Sequence, residues 1–170
     1  MLTVANYTSP NSPGTSYAQL QAGQFVSDLG SSSILCNATY RADGTSATSY
    51  GAKRTLEAFM YNDVTKDIGF GSSNQNKATL QIRNGRPVYF QGDAPGLFQG
   101  GHAWVLDGEW GDYYHINWGW RGIRDGYYAK GVFDTAQRYS TDSTYDNGVF
   151  WDYPTTEKYT WYFKMITYSL

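Results

Sequence analysis

Beyond Gly85 the chain is written in two-residue alternation and aromatic runs broken by glycine turns, a pattern that limits this half to β-strands folded back on one another. The candidate strands are Pro87–Gln91, His102–Asp107, Tyr113–Trp118, Gly126–Ala129 and Trp161–Thr167. Glu109-Trp110-Gly111-Asp112 is short enough to close a hairpin between the second and third, and Gly122 to Asp125 to close another. Parallel neighbours would need crossovers of a dozen residues or more, so the simplest topology is an antiparallel meander.

Upstream the period changes. Residues 7–16 carry turn and loop chemistry, with Pro10 and Pro13 restricting the residues before them. Tyr17, Leu20, Phe25 and Leu29 fit an amphipathic helix stopped by Gly30. A second helix is expected from about Tyr50 to Tyr61, capped by Ser49, with Ala52, Leu56, Phe59 and Met60 on one stripe. A third is expected from Asn74 to Arg83, ended by Asn84-Gly85. Residues 134–158 have no clean period and read as a long surface excursion. The chain is thus expected to be one domain or subdomain, residues 1–170: loop-like over 1–16, mainly helical over 17–84 and mainly antiparallel sheet over 85–170. Helices first and strands afterwards is an α+β order.

The core must come largely from rings. Leu, Ile, Val and Phe total only 30 of 170 residues, while 16 Tyr and six Trp supply the remaining apolar area and keep a polar atom at each ring edge. Thirteen basic against 15 acidic residues leave a formal charge of −2, so the basic footprint of a nucleic-acid binder is missing. No run of 18 apolar residues is present, and the first thirty residues carry no basic segment followed by an apolar one, so no membrane partner is expected. Cys36 is the sole cysteine and there are two histidines; neither a disulfide nor a structural zinc site can be built from them, and no metal or cofactor is expected.

The most informative stretch is Gly100-Gly101-His102-Ala103-Trp104-Val105-Leu106-Asp107-Gly108, followed by Tyr114-His115-Ile116-Asn117-Trp118-Gly119-Trp120 and Asp125-Gly126-Tyr127. A strand that opens Gly-Gly-His presents an imidazole where neighbouring backbone is bare and a substrate chain can approach. If the hairpin closes near Gly111, Asn117 returns beside that strand, where its amide can hydrogen-bond the ring and fix its tautomer. Gln91 ends the preceding strand and offers an amide of the kind that completes an oxyanion hole. His115 reads as a packed ring satisfied by backbone, and Asp107 and Asp112 as solvated turn carboxylates.

Taken together, these motifs resemble the C-terminal half of the streptopain family, the papain-like cysteine peptidases of bacteria, and the similarity runs over roughly residues 20–130, including Asn84 to Gly92. The resemblance implies a papain-like fold with an antiparallel, barrel-like sheet and a few packed helices. It implies that His102 activates a cysteine thiol as thiolate and imidazolium, and passes the proton to the leaving amine. It gives Asn117 and Trp118 the tasks of orienting and roofing that ring, either by the asparagine side chain or by backbone near the tryptophan. Trp120 and Gly101 would line the cleft, and Gln91 would match the glutamine near the oxyanion. It further implies a peptide or protein substrate, a propeptide or cysteine-bearing segment as partner, and export to the periplasm, cell surface or medium.

The departure from the pattern is the nucleophile. Leu35-Cys36-Asn37-Ala38-Thr39 is not preceded by glycine and runs on through Tyr40 to Gly44 into a turn rather than a helix, so Cys36 reads as a small, partly buried hydrophobe. The chain is therefore expected to be either the histidine-bearing portion of a peptidase whose nucleophile lies elsewhere, or an inactive paralogue. A competing class is an aromatic-rich carbohydrate- or protein-binding module, which needs coplanar exposed rings and no general base.

Overall fold

Alternation dictates where each strand's rings go. A computed structural model describes residues 30, 32, 36–41, 44–95, 100–120, 122, 124–139 and 157–169, and in it the second half of the chain forms the expected strands. They are β4 (Val88–Asp93), β5 (Gly101–Trp110), β6 (Tyr113–Asn117), β7 (Gly126–Ala129) and β10 (Trp161–Ser169). β4 to β7 follow one another as an antiparallel meander, and β5 and β6 turn at Gly111-Asp112, where Gly111 takes φ +56°. β10 pairs antiparallel with the free side of β4, and β3 (Asn62–Ile68) lies outside it, giving the order β3-β10-β4-β5-β6-β7.

Three strands fall within the stretch expected to be mainly helical. β1 (Thr39–Arg41) and β2 (Gly44–Ser46) make a small hairpin, and β3 carries the polar sequence Asn-Asp-Val-Thr-Lys-Asp-Ile with only Val64 buried. An edge strand hydrogen-bonds on one side and packs little, so it carries no apolar signature.

Helix α1 (Ser49–Ala58) starts one residue earlier in its capping than expected: Thr48, not Ser49, is the N-cap, and its Oγ1 accepts the Gly51 N–H at 3.0 Å. Its buried residues are Ser49 and Gly51, while Phe59 and Met60 of the expected stripe lie past the helix end and are exposed, Met60 at 86 %. A side chain at Gly51 would run into the carbonyl of Cys36. Helix α2 (Ser72–Arg83) ends at Asn84 and Gly85 as expected, with Gly85 at φ +70°. It buries Ala78 against the sheet, whereas Leu80 is exposed.

The described residues divide into two compact units, one running up to Val64 and including Ser169, the other Thr65–Tyr168. In the second, Val88 and Phe90 of β4, Trp104 and Leu106 of β5, Tyr114 and Ile116 of β6, and Tyr128 of β7 point to one face and form the core with Met165. Helix α2 is tied to that face by Tyr114, whose hydroxyl donates to the Gln75 carbonyl at 2.9 Å and lies 2.8 Å from Thr79 Oγ1. Arg83 holds Glu109 from the same helix, with Nε 2.7 Å and Nη2 3.1 Å from its carboxylate oxygens, and Lys130 reaches Glu109 at 2.6 Å.

The expected excursion is anchored at both ends. Phe133–Asp134 (β8) pairs antiparallel with Lys158–Tyr159 (β9), and this two-stranded ribbon adds Phe133 and Tyr159 to the core. Thr135 donates its N–H to the Glu157 carbonyl and accepts the Glu157 N–H on Oγ1, both at 2.9 Å. The helix expected over 17–29, the loop over 7–16 and most of 134–158 lie outside the described residues; Gly30, expected to stop that first helix, is itself helical.

Candidate active site

His102 sits on β5 two residues before Trp104 and four before Leu106, so the pleat directs all three to the core face. It occupies the end of that row, half-buried, where the packed interior gives out. Its register partner is Gly92, where a Cβ would run into the rings of Phe163 and Trp104. Four aromatic rings surround the imidazole: Trp120 with centroids 4.8 Å apart, Tyr159 at 5.8 Å, Trp104 at 6.2 Å and Trp118 at 6.3 Å, all within about 30° of parallel.

One hydrogen bond orients the ring: His102 Nε2 lies 2.8 Å from the carbonyl oxygen of Trp118. A carbonyl only accepts, so Nε2 carries the proton and Nδ1 is left as the basic nitrogen. Among the described residues Nδ1 has no hydrogen-bond partner. Burial pushes the imidazole pKa below its ordinary 6.5, and the bond to Trp118, which favours the protonated ring, offsets this only in part.

Asn117 and Gln91 are not brought to the imidazole. Asn117 Oδ1 accepts the Gly119 N–H at 2.9 Å, so the side chain shapes the turn and the next residue's backbone holds the ring. Gln91 is paired with Ala103, and Gly92 with His102; side chains at successive positions point to opposite faces, so Gln91 is directed away from the imidazole. Its Oε1 accepts from Tyr89 Oη at 3.3 Å on that far face. Trp118 is fully buried and Trp120 half-buried, their rings stacked at 5.6 Å and 16°. Gly101 lies next to His102 and pairs with Asp93; a Cβ there would meet the Asp93 carboxylate.

Two residues of this region carried little signal in the sequence. Tyr159, 3 % exposed, comes from the far end of the excursion, and a lone tyrosine in an aperiodic segment says nothing of the ring it will meet. Asp125, inside the Asp-Gly-Tyr motif, accepts the Trp118 N–H on Oδ1 at 2.8 Å.

The other histidine also departs from expectation. His115 Nδ1 lies 2.5 Å from Asp107 Oδ1, so a carboxylate rather than backbone satisfies that nitrogen, and Asp107 is not a free turn charge. A bulge between Leu106 and Gly108 makes this possible: it sets Gly108 opposite His115, and Gly108 leaves room beside the histidine Cβ. His115 is on the face opposite His102, edge-on to Tyr127 at 5.2 Å.

In the first unit Cys36 is half-buried, and burial raises its thiol pKa while the nearby Arg54 charge lowers it less. No group of three or more metal-ligating side chains occurs among the described residues.

An antiparallel sheet with helix α2 on its core face, carrying at one strand's start an imidazole held by a backbone carbonyl, is an α+β arrangement, and its fold is that of the papain-like proteins. Solved structures agree: active wild-type interpain A, a cysteine protease of Prevotella intermedia, matches with a TM-score of 0.66 over 91 % of this chain and 58 % of its own, at 18 % identity. A prointerpain A fragment of the same organism matches with a TM-score of 0.58 over 95 % and 46 %, at 17 % identity. The chain belongs to the Peptidase C10 family, whose model matches residues 3–128. Streptopain of Streptococcus pyogenes serotype M1 is 34 % identical over 116 residues, and two further S. pyogenes streptopains are 33 % identical. The match takes in 65 % of this chain but 28 % of that streptopain's length.

Proposed function

We propose that this chain is the histidine-bearing portion of a C10 cysteine endopeptidase, in which His102 Nδ1 exchanges a proton with a cysteine thiol other than Cys36. The observation that carries the reading is the Trp118 carbonyl on Nε2, which leaves Nδ1 as the proton-accepting nitrogen at the edge of an aromatic-walled site. The cysteine sulfur, as thiolate, attacks the scissile carbonyl carbon; a C–S bond forms and the carbonyl π-electrons move to oxygen. His102 then gives its Nδ1 proton to the leaving nitrogen as the C–N bond breaks, yielding a thioester and a free amine. In the second half His102 takes a proton from water, which attacks the thioester, and the thiolate departs. No metal or cofactor takes part.

Cys36 is set aside because no glycine precedes it and the chain after it runs into strand β1 rather than a helix. Gln91 is likewise set aside as the oxyanion donor, since it faces the other side of the sheet. The substrate is a peptide or protein, a propeptide is a natural partner, and family membership favours a secreted bacterial enzyme.

The test is complementation: the chain is combined with a cysteine-bearing segment of a C10 relative and thiol-dependent cleavage of denatured protein is assayed. The expected result is no cleavage by the chain alone, cleavage on combination, and loss of roughly a thousandfold or more with His102→Ala. Full activity in His102→Ala would overturn the reading.

A further inference from the structure

We infer that Asp125 is a positioning residue for His102, acting through the main chain of Trp118. The inference rests on the catalytic reading of His102 for its consequence, but its geometry stands on two hydrogen bonds to one residue. Trp118 gives its N–H to Asp125 Oδ1 at 2.8 Å and its carbonyl to His102 Nε2 at 2.8 Å. A carbonyl can hold an imidazole in one orientation only if its own residue is held. Trp118 lies just past the end of β6, outside the ladder that would otherwise fix it.

Three described residues of the turn it enters hold left-handed backbone. Gly119 and Gly122 adopt φ +78° and +87°, and Arg124, a residue with a Cβ, adopts φ +66°. Glycines in this region have many alternative conformations, and a left-handed arginine persists only where its surroundings hold it. Side-chain hydrogen bonds supply that hold. Asn117 Oδ1 takes the Gly119 N–H, and Tyr128 Oη donates to the Arg124 carbonyl at 2.6 Å. Arg138 Nη1 donates to the Asp125 carbonyl at 3.2 Å, fixing the residue whose carboxylate reaches back. Of these, Asp125 bonds the main chain of the residue that holds the imidazole, and a carboxylate accepting an N–H makes the stronger, charge-assisted kind of bond.

Asp125 does not touch the ring, so the readout must be the ring's own state. Long-range proton–nitrogen NMR spectra of the full 170-residue chain resolve the two histidines. In the wild type His102 should be the Nε2–H tautomer. Asp125→Ala should lower the ratio of Nε2–H to Nδ1–H roughly three- to tenfold, the factor that corresponds to losing one hydrogen bond's ordering. Asp125→Asn keeps an acceptor oxygen and should restore the wild-type ratio. Should Asp125→Ala fail to fold, Asp125→Glu, which moves the acceptor by one methylene, should give an intermediate ratio in a folded chain. A wild-type ratio in a folded Asp125→Ala or Asp125→Glu variant, even with a lowered melting temperature, would overturn the inference by reducing Asp125 to a turn stabiliser.

In the complemented peptidase, Asp125→Ala should lower kcat with little change in KM, and Asp125→Asn should recover it. The two failures are separable. A changed tautomer ratio with an active His102→Ala enzyme would leave the positioning intact and overturn the catalytic reading. An unchanged ratio with an inactive His102→Ala enzyme would do the reverse.

Discussion

Burial of His102 in an aromatic wall disfavours its charged form, and that has a measurable sign. Because burial lowers the folded-state pKa of His102 below 6.5, the unfolded chain takes up the proton first as pH falls. The folded state is therefore penalised on acidification through and below pH 6.5. Urea unfolding at pH 7.5 and 5.5 should show a smaller loss of stability in His102→Gln than in the wild type; equal losses would contradict the burial argument. Gly92, register partner of His102, is a second point of tight fit. A Cβ there would lie 2.7 Å from Phe163 Cε1 and 3.0 Å from Trp104 Cη2, two rings that cannot easily give way. Gly92→Ala should cost about 1–3 kcal/mol by overpacking, read from a shift in the urea midpoint. At this scale the place of His102 at the opening of a strand was legible from the glycines before it, but its hydrogen-bond partner was not. Asn117 and Trp118 are adjacent in sequence, and which of them offers the oxygen depends on a turn whose dihedral angles leave no mark on composition.

Elements with apolar periodicity were legible, and those without it were not. β4 to β7 show alternation because one face of each meets the core, whereas helix α2, which buries only Ala78, was marked by its Asn84-Gly85 stop. β3 was hidden because its residues are nearly all polar, and the β8–β9 ribbon because two-residue strands are too short to carry a period. That ribbon nonetheless closes one side of the imidazole. Tyr159 packs on Trp104 at 5.1 Å and Trp118 at 5.8 Å as well as on His102, and its hydroxyl donates to the Glu157 carboxylate. Tyr159→Ala should cost about 3 kcal/mol from the lost ring and its cavity, and should broaden the His102 side-chain resonances while leaving those of His115 unchanged. In the other unit the N-cap decides: Thr48→Ala should destabilise helix α1 by about 1 kcal/mol, checked by hydrogen exchange at Gly51.

Across the whole molecule the governing fact is that the chain spans 28 % of the streptopain relatives' length. The imidazole of the isolated chain should titrate below its ordinary value because burial disfavours its charged form. If the proposed function holds, supplying the cysteine-bearing segment of a C10 relative should raise that midpoint, because a neighbouring anion favours the imidazolium. A midpoint unmoved by a segment that binds would argue against a thiolate–imidazolium pair. The sequence by itself determined the α+β class, the β4 to β7 meander and the family, since each is written in periodicity or in contiguous motifs along the chain. Only the tertiary structure decided that Gln91 faces away from His102, that a backbone carbonyl rather than an amide holds the ring, and that Tyr159 walls the site. The reason is register and closure: a one-residue step along a strand reverses a side chain's face. Residues 57 positions apart, as His102 and Tyr159 are, meet only after the intervening chain has folded back.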